Sequence, residues 1–287
     1  MGLPSPIDPA RLGRQRPGRG RMAGWTGTGG GSRRPAGAGT VLVLRLLFLG
    51  LLLLLWGLAS ATVPRGLIPS PAATAEAAAR LWAEGRLQTA IVQSLLTYGT
   101  GLGAAVLVGI PLGALMGMMR LLGRTLDIFV FALAATPRVA FIPLIIVLLG
   151  LGTEAKAMIV FLGAVMPIVL NTYAGVLARD GELIEMARST GASAARIQLH
   201  IVLPGALPFL VVGLRLGATI GLINTVVAEL YTAVTGLGGL LALYGNTFRM
   251  ADYFVIVLAL AAIGVIVTES LRLLEGRLSR WRLPDRP

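Results

Sequence analysis

The chain has no cysteine, a single histidine and few charged residues for its length. Only 13% of its 287 residues are charged, whereas soluble domains carry about 25%. Without cysteine there is neither a disulfide framework nor thiolate chemistry. A zinc site of the His-Glu-x-x-His type needs two histidines, and the chain has only His200. We therefore expect no metal, no cofactor and no catalytic site.

Lysine is equally scarce, and this excludes nucleotide binding through a P-loop. The P-loop requires Gly-Lys followed by Ser or Thr, but Lys156 lies between Ala155 and Ala157. A serine–histidine triad would have to use His200, and the apolar segments contain no paired carboxylates. A membrane enzyme is thus a weak alternative, and the chain cannot bind ATP through a P-loop of its own.

The formal net charge of +12 raises the alternative of nucleic-acid binding. Most of the arginines lie at the two ends of the chain and in short loops, and no soluble basic domain is present. This distribution is typical of a membrane topology signal rather than of a phosphate-binding face. We expect a lipid bilayer as the surrounding medium and no nucleic acid partner.

Long apolar runs dominate what is present. The sequence is 55% hydrophobic with a mean hydropathy of +0.81, and about 20 apolar residues suffice to cross the hydrocarbon core. The first run is too long for a signal-peptide core and lacks a small-residue cleavage motif. The sequence predicts an all-α membrane protein with six transmembrane helices, at about 41–61, 91–119, 128–150, 157–177, 206–230 and 253–274.

These runs divide the chain into segments of different character. A Gly/Arg/Pro-rich tail is predicted to be disordered, and translation could start at Met1 or at Met22. A short interfacial helix is expected within 74–87. The predicted segments are a tail 1–39, a first transmembrane helix 40–62, an extracytoplasmic connection 63–89, a five-helix core 90–275 with a loop at 179–205, and a basic tail 276–287.

The arginine distribution predicts the orientation. Segments that six spans would place on the same side as both termini, including 120–127 and 179–205, hold most of the arginines. Cytoplasmic loops carry an excess of Lys and Arg. We therefore expect both termini to be cytoplasmic.

Glycines recur at four-residue spacing in two of the predicted spans. At this spacing they share one helix face and allow another backbone to approach closely. They predict tight helix packing at Gly109, Gly113, Gly117, Gly213, Gly217 and Gly221.

The loop 179–205 is longer than the other inner loop and has a helical pattern. Asp180 is a plausible N-cap, Gly191 interrupts the pattern as a C-terminal glycine does, and Ser193 can cap a second short helix that Pro204 ends. The sequence predicts a short helix, a glycine turn and another short helix on the inner face of the membrane.

This loop resembles the hallmark of binding-protein-dependent ABC importer permeases, which reads Glu-Ala-Ala, three residues, Gly, nine residues and Ile-x-Leu-Pro. The resemblance extends over about 90–281 and is strongest to the nitrate/sulfonate/taurine branch, with Met186 as the one departure within the loop. The matching positions are Glu185, Met186, Ala187, Gly191, Ile201, Leu203 and Pro204.

The resemblance implies a type I ABC importer permease fold in the bacterial plasma membrane. It implies that two permease copies form the pathway, that two cytoplasmic ATP-binding subunits dock on the loop, and that an extracytoplasmic solute-binding protein delivers the substrate. In that family the loop couples ATP-driven closure to alternating access. Whether the two permeases are identical stays open.

Polar residues inside the apolar spans are candidates for the pathway. A charge there costs about 2.5–3.5 kcal/mol on insertion scales. Arg138 follows Pro137, which could break the helix and free carbonyls for the guanidinium; alternatively, Arg138 could meet an anionic substrate. Glu229 could cap the following Gly-rich loop or pair across a dimer. The candidates are Arg138, Asn171, Asn224 and Glu229.

Besides the membrane enzyme, two other functions compete with the importer hypothesis. An ion-gradient-driven secondary transporter usually has internal repeats, none of which is evident here, and it gives the 185–204 pattern no purpose. A non-transporting scaffold has the same weakness. A substrate of the sulfonate, nitrate or taurine type is favoured weakly by Arg138, with a thiamine-precursor pyrimidine as the alternative.

Overall fold

A computed structural model of the chain describes residues 38–63 and 67–278. The predicted tail 1–39 lies almost entirely outside these residues, and so does most of the predicted tail 276–287. The first turns of the N-terminal helix, up to Leu51, form a unit separate from the rest of the chain. The packing described below concerns residues from Leu52 onward.

The described residues are helical, with no strand in these two ranges. Five helices are long and apolar enough to cross a membrane, and one bent pair supplies a sixth span. The predicted all-α membrane fold is confirmed. The helices are α1 (Ala38–Thr62), α2 (Pro71–Ala83), α3 (Arg86–Met118), α4 (Arg120–Ala135), α5 (Ile142–Leu149), α6 (Thr153–Leu177), α7 (Gly181–Ser189), α8 (Ala194–Ile197), α9 (Leu203–Thr232), α10 (Gly236–Asn246) and α11 (Met250–Leu278).

Helix α6 lies at the centre of the bundle, between α3 and α9. Its Val160, Ala164 and Val169 are fully buried. On the α3 side, a Cβ added to Gly113 would lie 2.5 Å from the carbonyl oxygen of Val169, and one added to Gly109 would lie 2.9 Å from Ile168 Cγ2. The two backbones approach so closely that only glycine fits on this face of α3.

The glycines of α9 line the opposite side of α6. A Cβ on Gly213 would meet the side chain of Asn171 at 2.7 Å, and one on Gly217 would lie 2.9 Å from the carbonyl oxygen of Ala164. Gly221 is looser, since its nearest neighbours would lie at 3.5 Å or more. Both glycine series therefore pack against the same helix.

We expect Gly113→Ala to destabilise the protein, because the added methyl group would meet backbone and not a flexible side chain. Overpacking of this kind costs about 1–3 kcal/mol. Gly103→Ala in the same helix is the matched control, since nothing lies within 4 Å of its added Cβ. Thermal unfolding of the purified variants checks this prediction; equal melting temperatures for the two would contradict it.

The third span differs from its prediction. The sequence predicted an inner loop at 120–127 followed by a span at 128–150, but α4 already begins at Arg120. The span bends by 82° between α4 and the turn at 138–141. Pro137 lacks an N–H and disfavours helical geometry in the preceding residue, and Thr136 is accordingly extended, with ψ at 134°. The predicted inner loop was wrong, whereas the break that Pro137 suggested in the sequence is present.

Helix α10 lies where the sequence predicted only a Gly-rich outer loop. Glycine disfavours helix interiors, but Leu237 and Tyr244 of α10 are fully buried and pack with Leu81 of α2 and Ile256 of α11. Tertiary packing therefore overrides the local preference and produces a helix at the end of the bundle opposite the 179–205 loop.

Candidate functional site

The loop 179–205 begins with a capped helix. Asp180 Oδ1 accepts hydrogen bonds from the backbone N–H groups of Glu182, at 2.9 Å, and Leu183, at 3.3 Å. This satisfies two of the orphan donors at the start of α7. Glu182 adds a negative charge to the first turn, where the helix dipole favours it. The cap defines where this surface helix begins.

Helix α7 has one face in the protein and one in solvent. Ile184 and Ala187 pack with the buried Val176 and Val202 at the ends of α6 and α9. On the other face, Leu183 is 44% and Met186 60% exposed. The departure from the family pattern at Met186 thus falls on the exposed face, which is free to receive a partner.

Gly191 ends α7 in a Schellman motif. Its φ is +80°, a left-handed conformation that glycine adopts without strain. Its N–H donates to the carbonyl of Arg188 at 3.0 Å, and the N–H of Ala192 donates to the carbonyl of Ala187 at 3.0 Å. These two bonds are those that define the motif, and they fix the turn between the two short helices.

The second short helix does not end at Pro204 as predicted. Ser193 Oγ accepts from the N–H of Arg196 at 3.4 Å, and α8 then continues through one π-helical turn at 198–202 into α9. Proline lacks the N–H for a helical bond and crowds the carbonyl four residues earlier; the wider π turn accommodates it in the first turn of α9. The loop is therefore continuous with a spanning helix.

Ile201 and Leu203 lie on either side of the buried Val202, at this entry into α9. Ile201 packs with the cluster that holds α7 in place, and Leu203 is partly buried. Together with Pro204 they form the junction between the loop and the span.

A cavity of about 510 Å³ lies between α7, α8 and the ends of α3 and α6. Arg120, Arg179 and Arg188 line it together with Glu185, so its charge is mostly positive. Gln198 also lines it, and its buried Oε1 has no hydrogen-bond partner in the described part of the chain.

Arg138 lies at the bend of the third span. Its guanidinium donates to the carbonyls of Gly163, at 2.9 Å, and Ala134, at 3.2 Å. The carbonyl of Ala134 is available because α4 ends here, before Pro137. Arg138 thus pairs with a carbonyl that the break at Pro137 sets free, which was one of the two alternatives for this residue. The guanidinium has further N–H donors that could bind a ligand.

Asn224 and Asn171 lie on the surfaces where α9 and α6 meet. Each donates to the carbonyl four residues earlier in its own helix, Asn224 at 2.9 Å and Asn171 at 2.8 Å. The Asn224 amide packs directly on the Cα of Gly163, the residue whose carbonyl holds Arg138. Two of the four pathway candidates thus converge on one residue of α6.

Glu229 lies at the other end of α9 and is only 1% exposed. Its carboxylate accepts from Ser94 Oγ, at 2.8 and 2.9 Å, and from the N–H of Gly238, at 2.9 Å. The carboxylate therefore holds the start of α10, which is the alternative in which Glu229 caps the Gly-rich segment that follows it. The side chain is buried within the protomer.

Several residues that hold α10 were missed from the sequence. Gln93 Oε1 accepts from the N–H of Gly236, and Ser94 Oγ accepts from that of Leu237. Lys156, which lies just outside the predicted span 157–177, is buried in α6 and donates to Thr235 Oγ1 at 2.5 Å. The scarcity of lysine was the only sequence signal for its role.

Ion pairs fasten α2 and α11. Arg80 of α2 lies 2.6 Å from Asp252 of α11, and Arg249 reaches the other oxygen of the same carboxylate at 2.8 Å. The hydrogen bond and charge of Asp252 raise the pKa of Arg80. Nearer the other end of the bundle, Arg215 of α9 pairs with Glu275 of α11.

The bundle and its loop define a membrane transport subunit: spanning helices packed on α6, with an exposed helical element joined rigidly to one of them. The family model described as "binding-protein-dependent transport system inner membrane component" matches residues 109–280. The chain belongs to this family and is the permease subunit of an ABC importer, a multi-pass inner-membrane protein. The predicted resemblance is confirmed, and the family implies an ATP-binding subunit and a solute-binding protein.

Named relatives agree with this assignment. A probable ABC transporter permease of Brucella abortus (strain 2308) is 32% identical, over 75% of this chain and 86% of its own. The taurine transport system permease of Escherichia coli is 34% identical, over 67% and 70%. A putative aliphatic sulfonates transport permease of E. coli is 38% identical, over 55% and 60%.

Solved structures support the fold. The chain is similar to an inward-facing form of the MetNI methionine ABC transporter with a TM-score of 0.57 and 20% identity, over 65% of this chain and 93% of that one. The type I importer permease fold is thereby confirmed.

Proposed function

We propose that this permease forms the translocation pathway for a small anionic solute of the sulfonate, taurine or nitrate type. The arginine at the bend of the third span is the observation that carries the proposal. A guanidinium inside a span is costly, and its planar fork matches the oxygens of a sulfonate or carboxylate. The taurine and aliphatic sulfonate permeases among the relatives support the same substrate class.

In the working transporter, two copies of this chain form a homodimer with both termini in the cytoplasm. A dimer of ATP-binding subunits docks below, and a solute-binding protein delivers the substrate above. The exposed apolar positions of α7, Leu183 and Met186, support docking of the ATPase on this helix, because apolar groups are then removed from water.

Closure of the ATPase dimer would move α7 and α8, and the continuous helix from Ala194 to Thr232 would carry that motion through the membrane. Glu185, Ala187 and Gly191 shape the coupling element, and Ile201, Leu203 and Pro204 form its exit into α9. Since α9 packs on α6 through glycines, the two helices would move together and change access to the pathway.

Within the pathway, Arg138 would bind the anion while Ala134 and Gly163 hold its guanidinium. Asn224 packs on Gly163, whose carbonyl accepts from the Arg138 guanidinium, and it is the second candidate of the pathway. Asn171 is a further pathway candidate. Glu229 would contribute by holding the start of α10.

Arg138→Gln is expected to lower uptake of radiolabelled taurine by about tenfold or more, since a hydrogen bond to a charged group contributes about 1.5–3 kcal/mol. The assay uses proteoliposomes that contain the permease, its ATPase and its binding protein. Arg138→Lys is the companion variant; it keeps the charge but loses the bidentate fork, so an intermediate rate is expected.

A normal uptake rate in Arg138→Gln would contradict the pathway role of Arg138. A melting temperature well below that of the parent would assign the residue to structure alone. Uptake of a thiamine-precursor pyrimidine, with no uptake of taurine or an alkanesulfonate, would overturn the substrate class and support the alternative.

A further inference from the structure

A second cavity lies beside the coupling loop and meets that loop only at Arg179. Its volume is about 460 Å³, and it opens where α3 ends, α4 begins and α6 ends. Arg120, Arg124 and Arg179 line it together with Tyr173 and Leu177. It shares Arg120 and Arg179 with the cavity under α7, whereas Arg124 belongs to this cavity alone.

The three guanidinium groups have no anionic partner in the described ranges 38–63 and 67–278. None of them lies within 4.0 Å of a carboxylate oxygen. The first turns of α4 place Arg120 and Arg124 four residues apart, so they share one helix face. The one carboxylate in the adjoining cavity, Glu185, leaves a clear surplus of positive charge.

Apolar side chains border the same charges. Leu121 is 82% exposed, Met119 is 55% exposed, and Leu177 of the cavity wall is 49% exposed. Next to the cavity, Gly123 lets α4 pack closely against the carbonyl of Met116 and the side chain of Tyr173. The site therefore combines a cationic rim with an open apolar side.

We propose that this cavity binds the phosphate headgroup of an anionic phospholipid, with the acyl chains lying along Leu121 and Leu177. A free phosphate ion would satisfy the arginines but leave the apolar side uncovered. Basic pockets between spanning helices bind anionic headgroups in this way. The proposal goes beyond the proposed substrate and does not depend on it.

The bound lipid would affect the coupling loop because the cavity lies between the third span and the first residue of that loop. Arg179 lies two residues after the end of α6 and immediately before Asp180, the N-cap of α7, and Arg120 lines both cavities. A phosphate bound between α4 and Arg179 would tie the start of the coupling loop to the third span.

The test is native mass spectrometry of the purified permease–ATPase complex, titrated with phosphatidylglycerol or with neutral phosphatidylcholine. Saturable binding of phosphatidylglycerol alone is expected. Arg124→Gln should weaken it about fivefold, and the Arg120→Gln/Arg124→Gln double variant about 25-fold, if each basic group contributes as it does at membrane surfaces. Arg272→Gln is the matched control and should bind as the parent does, because this 74%-exposed arginine lies outside the cavity.

Arg124→Lys keeps the charge and should retain binding within about twofold, which separates loss of the site from misfolding. Equal binding by the parent and Arg124→Gln would overturn the proposal. Displacement of the lipid by inorganic phosphate, but not by chloride of equal ionic strength, would show a small-anion site and overturn it too. Binding that occurs only after the ATPase is removed would assign the surface to the ATPase and equally overturn it.

Discussion

Gly191→Pro is expected to abolish stimulation of the partner ATPase, with at least a tenfold fall in transport-coupled ATP hydrolysis. Proline fixes φ near −65° and has no N–H, whereas Gly191 has a φ of +80° and donates to the carbonyl of Arg188. The substitution removes both the positive φ and the N–H donor on which the turn depends, and this destabilises the loop by about 3 kcal/mol or more. Helices α7 and α8 then lose their relative positions. Co-purification with the ATPase and hydrolysis in proteoliposomes check the result.

Gly181→Ala is the matched control in the same loop, because nothing lies within 4 Å of its added Cβ. Glu185→Arg separates loss of a contact from loss of the fold. Glu185 is exposed and makes no hydrogen bond in the described part of the chain, so this variant should keep α7 and still lose the ATPase. Full stimulation in Gly191→Pro would rule out the coupling role of this loop.

Glu229→Ala is expected to lower the stability of the folded permease by about 3 kcal/mol and to abolish uptake. The substitution leaves the hydroxyl of Ser94 and the N–H of Gly238 buried without their acceptor, and each unsatisfied donor costs about 1–3 kcal/mol. The start of α10 is then no longer held against α3. Thermal unfolding in detergent and uptake in proteoliposomes measure the two effects.

Glu269→Ala is the control for Glu229, since its carboxylate is 56% exposed and pairs weakly with Arg272. We expect a change within about 0.5 kcal/mol there. Glu229→Gln should fall between the two, because one amide oxygen remains to accept from Gly238. If Glu229→Ala melts at the parent's temperature, the carboxylate does not hold α10.

The elements that could be predicted from the sequence depend on local patterns. The spans follow from runs of apolar residues, and the caps and turn of the coupling loop follow from Asp180, Gly191 and Ser193 at fixed offsets. The family could be recognised because the residues of the 185–204 motif stand at the same spacing in this sequence as in the family pattern. These features need no knowledge of distant contacts.

The features that were missed depend on residues far apart in sequence. Gln93 and Ser94 hold backbone groups 143 positions later, and Arg80 meets Asp252 across 172 positions. No local periodicity encodes such pairs. Helix α10 was missed for the same reason, since its glycines disfavour a helix until Glu229, Ser94 and Gln93 receive its first N–H groups.

The glycine contacts on both sides of α6 have a consequence for how the chain assembles during synthesis. The contacting faces of α3 and α6 are complete once α6 has left the ribosome. Helix α9 begins 26 residues after α6 ends, so it meets a second face of α6 that is already formed. Helix association in a bilayer follows insertion, so the α3–α6 pair can form before α9 is available. A bulky residue at Gly217 would leave this early pair intact, but one at Gly113 would disrupt it before α9 joins the bundle.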